Sequence, residues 1–105
     1  MYKNISGKEF KSAMEANPNA LVIDVRTEME FRSGHIPNAL HIDLFSPDLQ
    51  QKVAELDPGK EILVYCRSGA RSAHACSMMG HMGFQNLSNL YGGLFDWHGE
   101  LVTLA

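Results

Sequence analysis

The residue types that could do chemistry gather in ILVYCRSGARSAHAC, residues 62 to 76. An apolar run of strand character ends at Cys66, a loop carrying Arg67 and Arg71 follows, and a helical pattern starts near Ala70. A cysteine of ordinary pKa, about 8.5, is a weak nucleophile at neutral pH, because the thiolate is the form that reacts. Three features of this loop favour the thiolate. The helix beginning near Ala70 turns its positive end toward the loop. Backbone N–H groups of residues 67 to 71 can curl around the sulfur as an anion nest, and Gly69 permits the sharp turn because it tolerates φ > 0. Arg67 and Arg71 add positive charge. The plainer alternative is a buried cysteine ending a strand, with two arginines that solvate a loop.

The elements that must position this loop recur as strand followed by capped helix. Ser6 and Glu9 in SGKE form a capping box that predicts a helix over residues 7 to 16. ALVIDV (20 to 25) has strand length and follows the breaker Asn17-Pro18-Asn19. Thr27 and Glu30 in TEME repeat the capping box and open a short helix ending near Gly34. ALHI (39 to 42) is a short strand, and Ser46-Pro47-Asp48 reads as N-cap, N1 proline and first-turn acid of a helix ending near Leu56. After the turn Asp57-Pro58-Gly59 comes the strand EILVY (61 to 65), then a helix from about Ala70 to Met82 closed by Gly83. QNLSNLY supplies a last strand, and GLFDWHGE a final helical turn or two. Alternating strands and helices predict an α/β fold with a parallel sheet covered on both faces. In such sheets ligands bind beyond the carboxyl ends of the strands, where Cys66 lies.

In the helix after the loop, Ala73, Cys76, Ser77 and Gly80 fall at i, i+3, i+4 and i+7 and predict a small-residue face against the sheet. Cys76 is therefore read as a packing residue, and the helical rise holds it roughly 10 Å or more from Cys66, too far for a disulfide.

Composition narrows the function classes. The 105 residues, 1-105, are read as a single domain. A net charge of −3 without any basic run argues against nucleic acid. No apolar stretch is long enough to span a membrane. MYKNISGKEF lacks the apolar core of a secretory signal, so the expected location is cytoplasmic. There Cys66 and Cys76 are expected as free thiols. Among the five histidines, His74 and His81 stand two helical turns apart, about 10 Å, and the rest show no ligand spacing, so no metal is expected.

The loop CRSGAR resembles the active-site loop of rhodanese-type sulfurtransferases. IDVRTEMEFRSGHIPNA (23 to 39) resembles the upstream signature of that family, with Asn38 where many members carry glycine. LYGGLFDWHGE (90 to 100) resembles its C-terminal signature through Gly92, Gly93 and Trp97. The resemblance implies a rhodanese-like fold, a five-stranded and largely parallel sheet with helices on both faces. It also implies a thiosulfate sulfurtransferase working through a Cys66 persulfide, without cofactor. Cyanide or a thiol such as thioredoxin or glutathione would take the sulfur. On this reading Cys66 is catalytic. Arg67, Ser68, Gly69, Ala70 and Arg71 bind the anionic donor and cradle the outer sulfur, with hydroxyl donors at Ser68 and Ser72. Asp24, Arg26, Glu30 and His35 are read as buried polar partners that hold loops together, and Trp97 as core or pocket wall.

Two rival readings come from other classes. A phosphatase or arsenate reductase of the same fold would need a wider ring, with one more residue between cysteine and arginine than the four here (67 to 70). A non-catalytic rhodanese module, serving as a binding domain, would commonly lack the cysteine. As to the donor, relatives acting on mercaptopyruvate tend to carry small neutral residues after the cysteine, whereas Arg67 and Arg71 favour thiosulfate.

Overall fold

The computed structural model describes residues 1–104. Central strand β4 (Ile62–Tyr65) shows how the sequence makes the sheet. Its residues alternate between two cores: Ile62 and Val64, with Cys66 just beyond, face one, and Leu63 and Tyr65 face the other. All five are fully buried, as an unbroken apolar run in a doubly covered parallel strand should be. Burial of each large side chain contributes about 1.5 to 3 kcal/mol.

Around it lie β1 (Lys3–Ile5), β2 (Leu21–Asp24), β3 (Leu40–His41) and β5 (Leu87–Leu90), in the order β1-β5-β4-β2-β3. Every pair is parallel, with Ile23 opposite Val64 and Val64 opposite Asn89. This is the α/β architecture expected from the sequence, a five-stranded parallel sheet. Helices α1 (Gly7–Ala16), α2 (Glu28–Ser33), α3 (Leu49–Ala54) and α4 (Ala70–His81) connect the strands, and a 3₁₀ turn spans Gly93–Asp96. On one side Val53 of α3 and Ala75, Cys76 and Met79 of α4 close over Ile23, Val64 and Leu87. On the other, Phe10 of α1 packs with Leu63, Tyr65 and Leu90, joined by Leu94 and Trp97.

Both capping boxes form. The Ser6 side chain accepts from the Glu9 N–H while Glu9 accepts from the Ser6 N–H, and Thr27 and Glu30 do the same. Two local expectations shift, and one strand appears that the sequence did not signal. α3 begins at Leu49 with Asp48 as its N-cap residue, because Ser46 turns its hydroxyl onto the Asp48 carboxylate instead of capping the helix. The buried stripe of α4 is Ser72, Ala75, Cys76 and Met79, whereas Ser77 is exposed and Ala73 and Gly80 are half-buried. The helix is rotated by about one residue from the small-residue face, because Met79 buries more apolar area than Gly80. Strand β1 had no local signal: Lys3 and Asn4 are exposed on an edge, and pairing with β5 is what orders the segment.

Candidate active site

Cys66 directly follows β4, and α4 starts at Ala70. Two glycines let the intervening loop close. Gly69 has φ 101°, and a Cβ there would collide with the Tyr91 carbonyl. Gly93 has φ 62°, and a Cβ there would strike the Arg67 carbonyl and the Ser68 nitrogen. The turn after β5 is thus pressed against the cysteine loop, and the Leu94 N–H donates to the Cys66 carbonyl at 3.1 Å.

The Cys66 sulfur is buried and sits among donors. The Gly69 N–H points to it at 3.1 Å, the Ser72 N–H at 3.4 Å, and the Ser72 hydroxyl lies at 3.3 Å. Burial pushes the thiol pKa up, but the Ser72 hydroxyl and the N–H groups of Ser72, Gly69 and Ser68 more than offset it, so the net shift is downward. Cys76, buried in apolar surroundings without such donors, is pushed up to about 12. The two cysteines are free, and their surroundings shift the two thiols in opposite directions.

Arg71 does not face the sulfur as an unpaired cation. Its guanidinium makes a two-pronged bond to Glu30, at 2.8 and 3.0 Å. That partner holds the Glu30 carboxyl down at about 2 against the burial that would raise it. Glu30, read from the sequence as a loop-holding residue, thus does so on the active-site loop itself while also capping α2. Arg67 is exposed, with its guanidinium 5.7 Å above the Phe95 ring. Ser68 and Ala70 are exposed at the loop surface.

The other upstream residues build the scaffold behind. Asp24 and Arg26 form a buried pair at 2.7 Å, and Arg26 also donates to the Gly34 carbonyl at 2.6 Å. His35 stacks on Phe31 at 3.8 Å and places Nδ1 2.9 Å from the Phe31 carbonyl. Trp97 packs edge-on against Phe10 and donates to the Glu100 carbonyl. Asn89 was not identified from the sequence. Near the end of β5 it is buried, accepts from the Ser72 hydroxyl at 2.5 Å, and donates to Asn4 Oδ1 at 3.0 Å and the Gly69 carbonyl at 3.3 Å. The available signal was the polar pair Ser88-Asn89 within a strand buried throughout.

An open apolar groove of about 350 Å³ lies beside the loop, with Ala70 and Arg71 on one side and Leu44, Phe45 and Met78 among its other walls. Of the three methionines near the C-terminal half of α4, Met78 lines this groove, Met79 is core and Met82 is the C-cap residue. Among the described residues there is no cluster of His, Cys, Asp or Glu able to hold a metal, and no helix long and apolar enough to cross a membrane.

The site is thus a buried cysteine at the end of a parallel strand, ringed by N–H and O–H donors aimed at its sulfur. Residues 6–100 match the family described as Rhodanese-like domain, and the chain belongs to that family. It is 31% identical over 101 residues to a protein of Allochromatium vinosum named Sulfurtransferase, covering 94% of this chain and 92% of that one. It is 39% identical over 98 residues to YtwF of Bacillus subtilis, a candidate sulfurtransferase, with 93% and 92% covered. Among solved structures, a rhodanese-like domain protein from Staphylococcus aureus superposes with a TM-score of 0.84 at 26% identity, covering 98% of this chain and 99% of that one.

Proposed function

We propose that this protein, acting as a single domain, is a sulfurtransferase that carries sulfane sulfur as a persulfide on Cys66. The observation that carries the reading is the donor ring, which lowers the thiol pKa although the sulfur is buried. The Cys66 thiolate attacks the outer sulfur of thiosulfate. A new sulfur–sulfur bond forms, the old one breaks, and sulfite leaves with its electron pair. Cyanide or a thiol acceptor, such as glutathione or thioredoxin, then attacks the outer sulfur and releases the thiolate. Both half-reactions pass through a sulfur anion, which the backbone N–H groups stabilise without a metal or general base.

Arg67, exposed at the loop surface, suits an anionic donor. Arg71 acts as half of its pair with Glu30 and orients the start of α4. The four-residue spacing from Cys66 to Arg71 fits a single sulfur atom better than a phosphoryl group. A free thiol of low pKa persists in a reducing compartment, which supports a cytoplasmic location.

The test is intact mass spectrometry after treatment with thiosulfate. The expected result is one added sulfur atom on the parent protein and on Cys76→Ser, and none on Cys66→Ser. Release of that sulfur on adding cyanide or glutathione completes the cycle. A parent protein that takes up no sulfur would overturn the reading.

A further inference from the structure

The Ser72 hydroxyl has one proton and three acceptors within reach. Asn89 Oδ1 stands at 2.5 Å, the Gly69 carbonyl at 3.2 Å and the Cys66 sulfur at 3.3 Å. The Gly69 carbonyl already receives the Ala73 N–H at 3.1 Å and the Asn89 amide at 3.3 Å, so it has little need of a third donor. The contest is therefore between Asn89 and Cys66.

The orientation of the Asn89 amide follows from its neighbours. Its nitrogen lies against the Gly69 carbonyl, which can only accept, so the opposite flip would set two oxygens face to face. The Asn89 oxygen must then point at Ser72 as an acceptor. Both residues are buried, at 0% and 1% exposure, so no bulk water relieves the competition.

We propose that Asn89 is a positioning residue that sets the reactivity of Cys66 by competing with it for the Ser72 hydroxyl proton. In the thiol form Ser72 donates to Asn89, and its lone pair faces the sulfur and accepts the Cys66 S–H. When the thiol proton leaves to solvent, the Ser72 O–H bond stays intact and the hydroxyl rotates to donate to the thiolate. That rotation gives up the short bond to Asn89. Asn89 thereby restrains ionisation while it anchors the loop through Gly69. The same exchange accompanies the change between thiolate and persulfide, whose inner sulfur no longer carries the charge. The inference goes beyond sulfur transfer but rests on Cys66 reacting as a thiolate.

The charged and titratable groups near Cys66 are otherwise unchanged by a substitution at Asn89. These are Arg67 in the loop itself, Arg71 with its partner Glu30, Cys76 on α4, and the Asp24–Arg26 pair beyond β2. β5 contributes only the neutral Ser88 and Asn89 beside the loop.

The experiment is the pH dependence of iodoacetamide alkylation at Cys66, measured in a Cys76→Ser background without any sulfur donor. It reads the thiolate directly, so its failure is separate from a failure of sulfur transfer. Asn89→Leu removes the acceptor and keeps the volume. It should move the profile to lower pH and raise the rate at pH 7 about threefold or more, the effect of one contested hydrogen bond. Ser72→Ala should move it to higher pH, and adding Asn89→Leu to Ser72→Ala should produce no downward shift. A purely structural role for Asn89 would loosen the loop, remove donors from the sulfur and move the Asn89→Leu profile upward, which would overturn the proposal. Infrared spectroscopy of the Cys76→Ser protein provides a reading that needs no change at Asn89. A hydrogen-bonded Cys66 S–H band that loses its shift in Ser72→Ala is the expected result, and a band at the free-thiol position overturns it.

Discussion

Cys66 and Cys76 show that one residue type acquires opposite properties from what surrounds it: four donated hydrogen bonds for one, apolar packing for the other. The same holds for Arg71, whose spacing from the cysteine suggests a cation for the sulfur but whose charge is matched by Glu30. The pair makes acid stability testable at this scale. The Glu30 carboxyl is depressed from 4.5 to about 2 in the folded protein, so its contribution is fully present above 4.5 and is lost as pH falls toward 2. With both side chains about a quarter exposed, at 26% and 23%, screening limits the contribution to about 1 kcal/mol. Urea unfolding at pH 6 should therefore show Glu30→Gln less stable than the parent by about that amount. At pH 2.5 the difference should largely vanish. A difference that persists unchanged at pH 2.5 would mean that the ionised pair is not its source.

At the scale of elements, the site is the junction of β4 and α4 clamped by the turn after β5. Gly93 is the contact point, since its φ of 62° and the absence of a Cβ let the turn meet the Arg67 carbonyl. Gly93→Ala should displace one of the two segments and cost about 1 to 3 kcal/mol of stability. The stronger expectation is functional: a shifted loop moves the Gly69 and Ser68 N–H groups off the sulfur. Sulfur uptake from thiosulfate should slow at least about tenfold, which corresponds to roughly 1.4 kcal/mol of lost stabilisation. Gly83→Ala is the control, because Gly83 also has a positive φ, 101°, but open space around it. It should lose stability through backbone strain while retaining the sulfur-uptake rate. Equal loss of rate in both variants would separate the loop geometry from the clamp.

Across the whole molecule, the Asp24–Arg26 pair ties the end of β2 to the Gly34 carbonyl after α2, and the Arg26 guanidinium lies 5.8 Å above the Tyr65 ring of β4. Both partners are buried, and Asp24 is fully so. Arg26→Ala would leave an uncompensated carboxylate inside the protein and should destabilise it by about 3 to 5 kcal/mol. That is a large part of the total stability of about 5 to 15 kcal/mol available to a domain of this size. Replacing both partners, Asp24→Asn with Arg26→Met, should be milder, because no unpaired charge remains. Thermal unfolding of the two variants checks the order, and a milder single than double change would contradict it.

What the sequence determined by itself is what depends on neighbours along the chain. The two capping boxes, the apolar strand ending at Cys66, the helix from Ala70 and the glycine turn at Gly69 are local, so period, cap and backbone freedom identify them. The resemblance carried by the three family signatures implied a fifth strand that local patterns left unassigned, while the order of the strands came only from the structure. Tertiary structure decided the rest. β1 exists because β5 pairs with it, and the buried face of α4 was selected by how Met79 fills the core. Arg71 found Glu30 across 41 positions of chain, and Asn89 reaches Ser72 across 17 and Asn4 across 85. Those partners share no spacing that a linear pattern could reveal. They meet because parallel strands bring their carboxyl ends to one edge of the sheet, where buried polar groups must find one another.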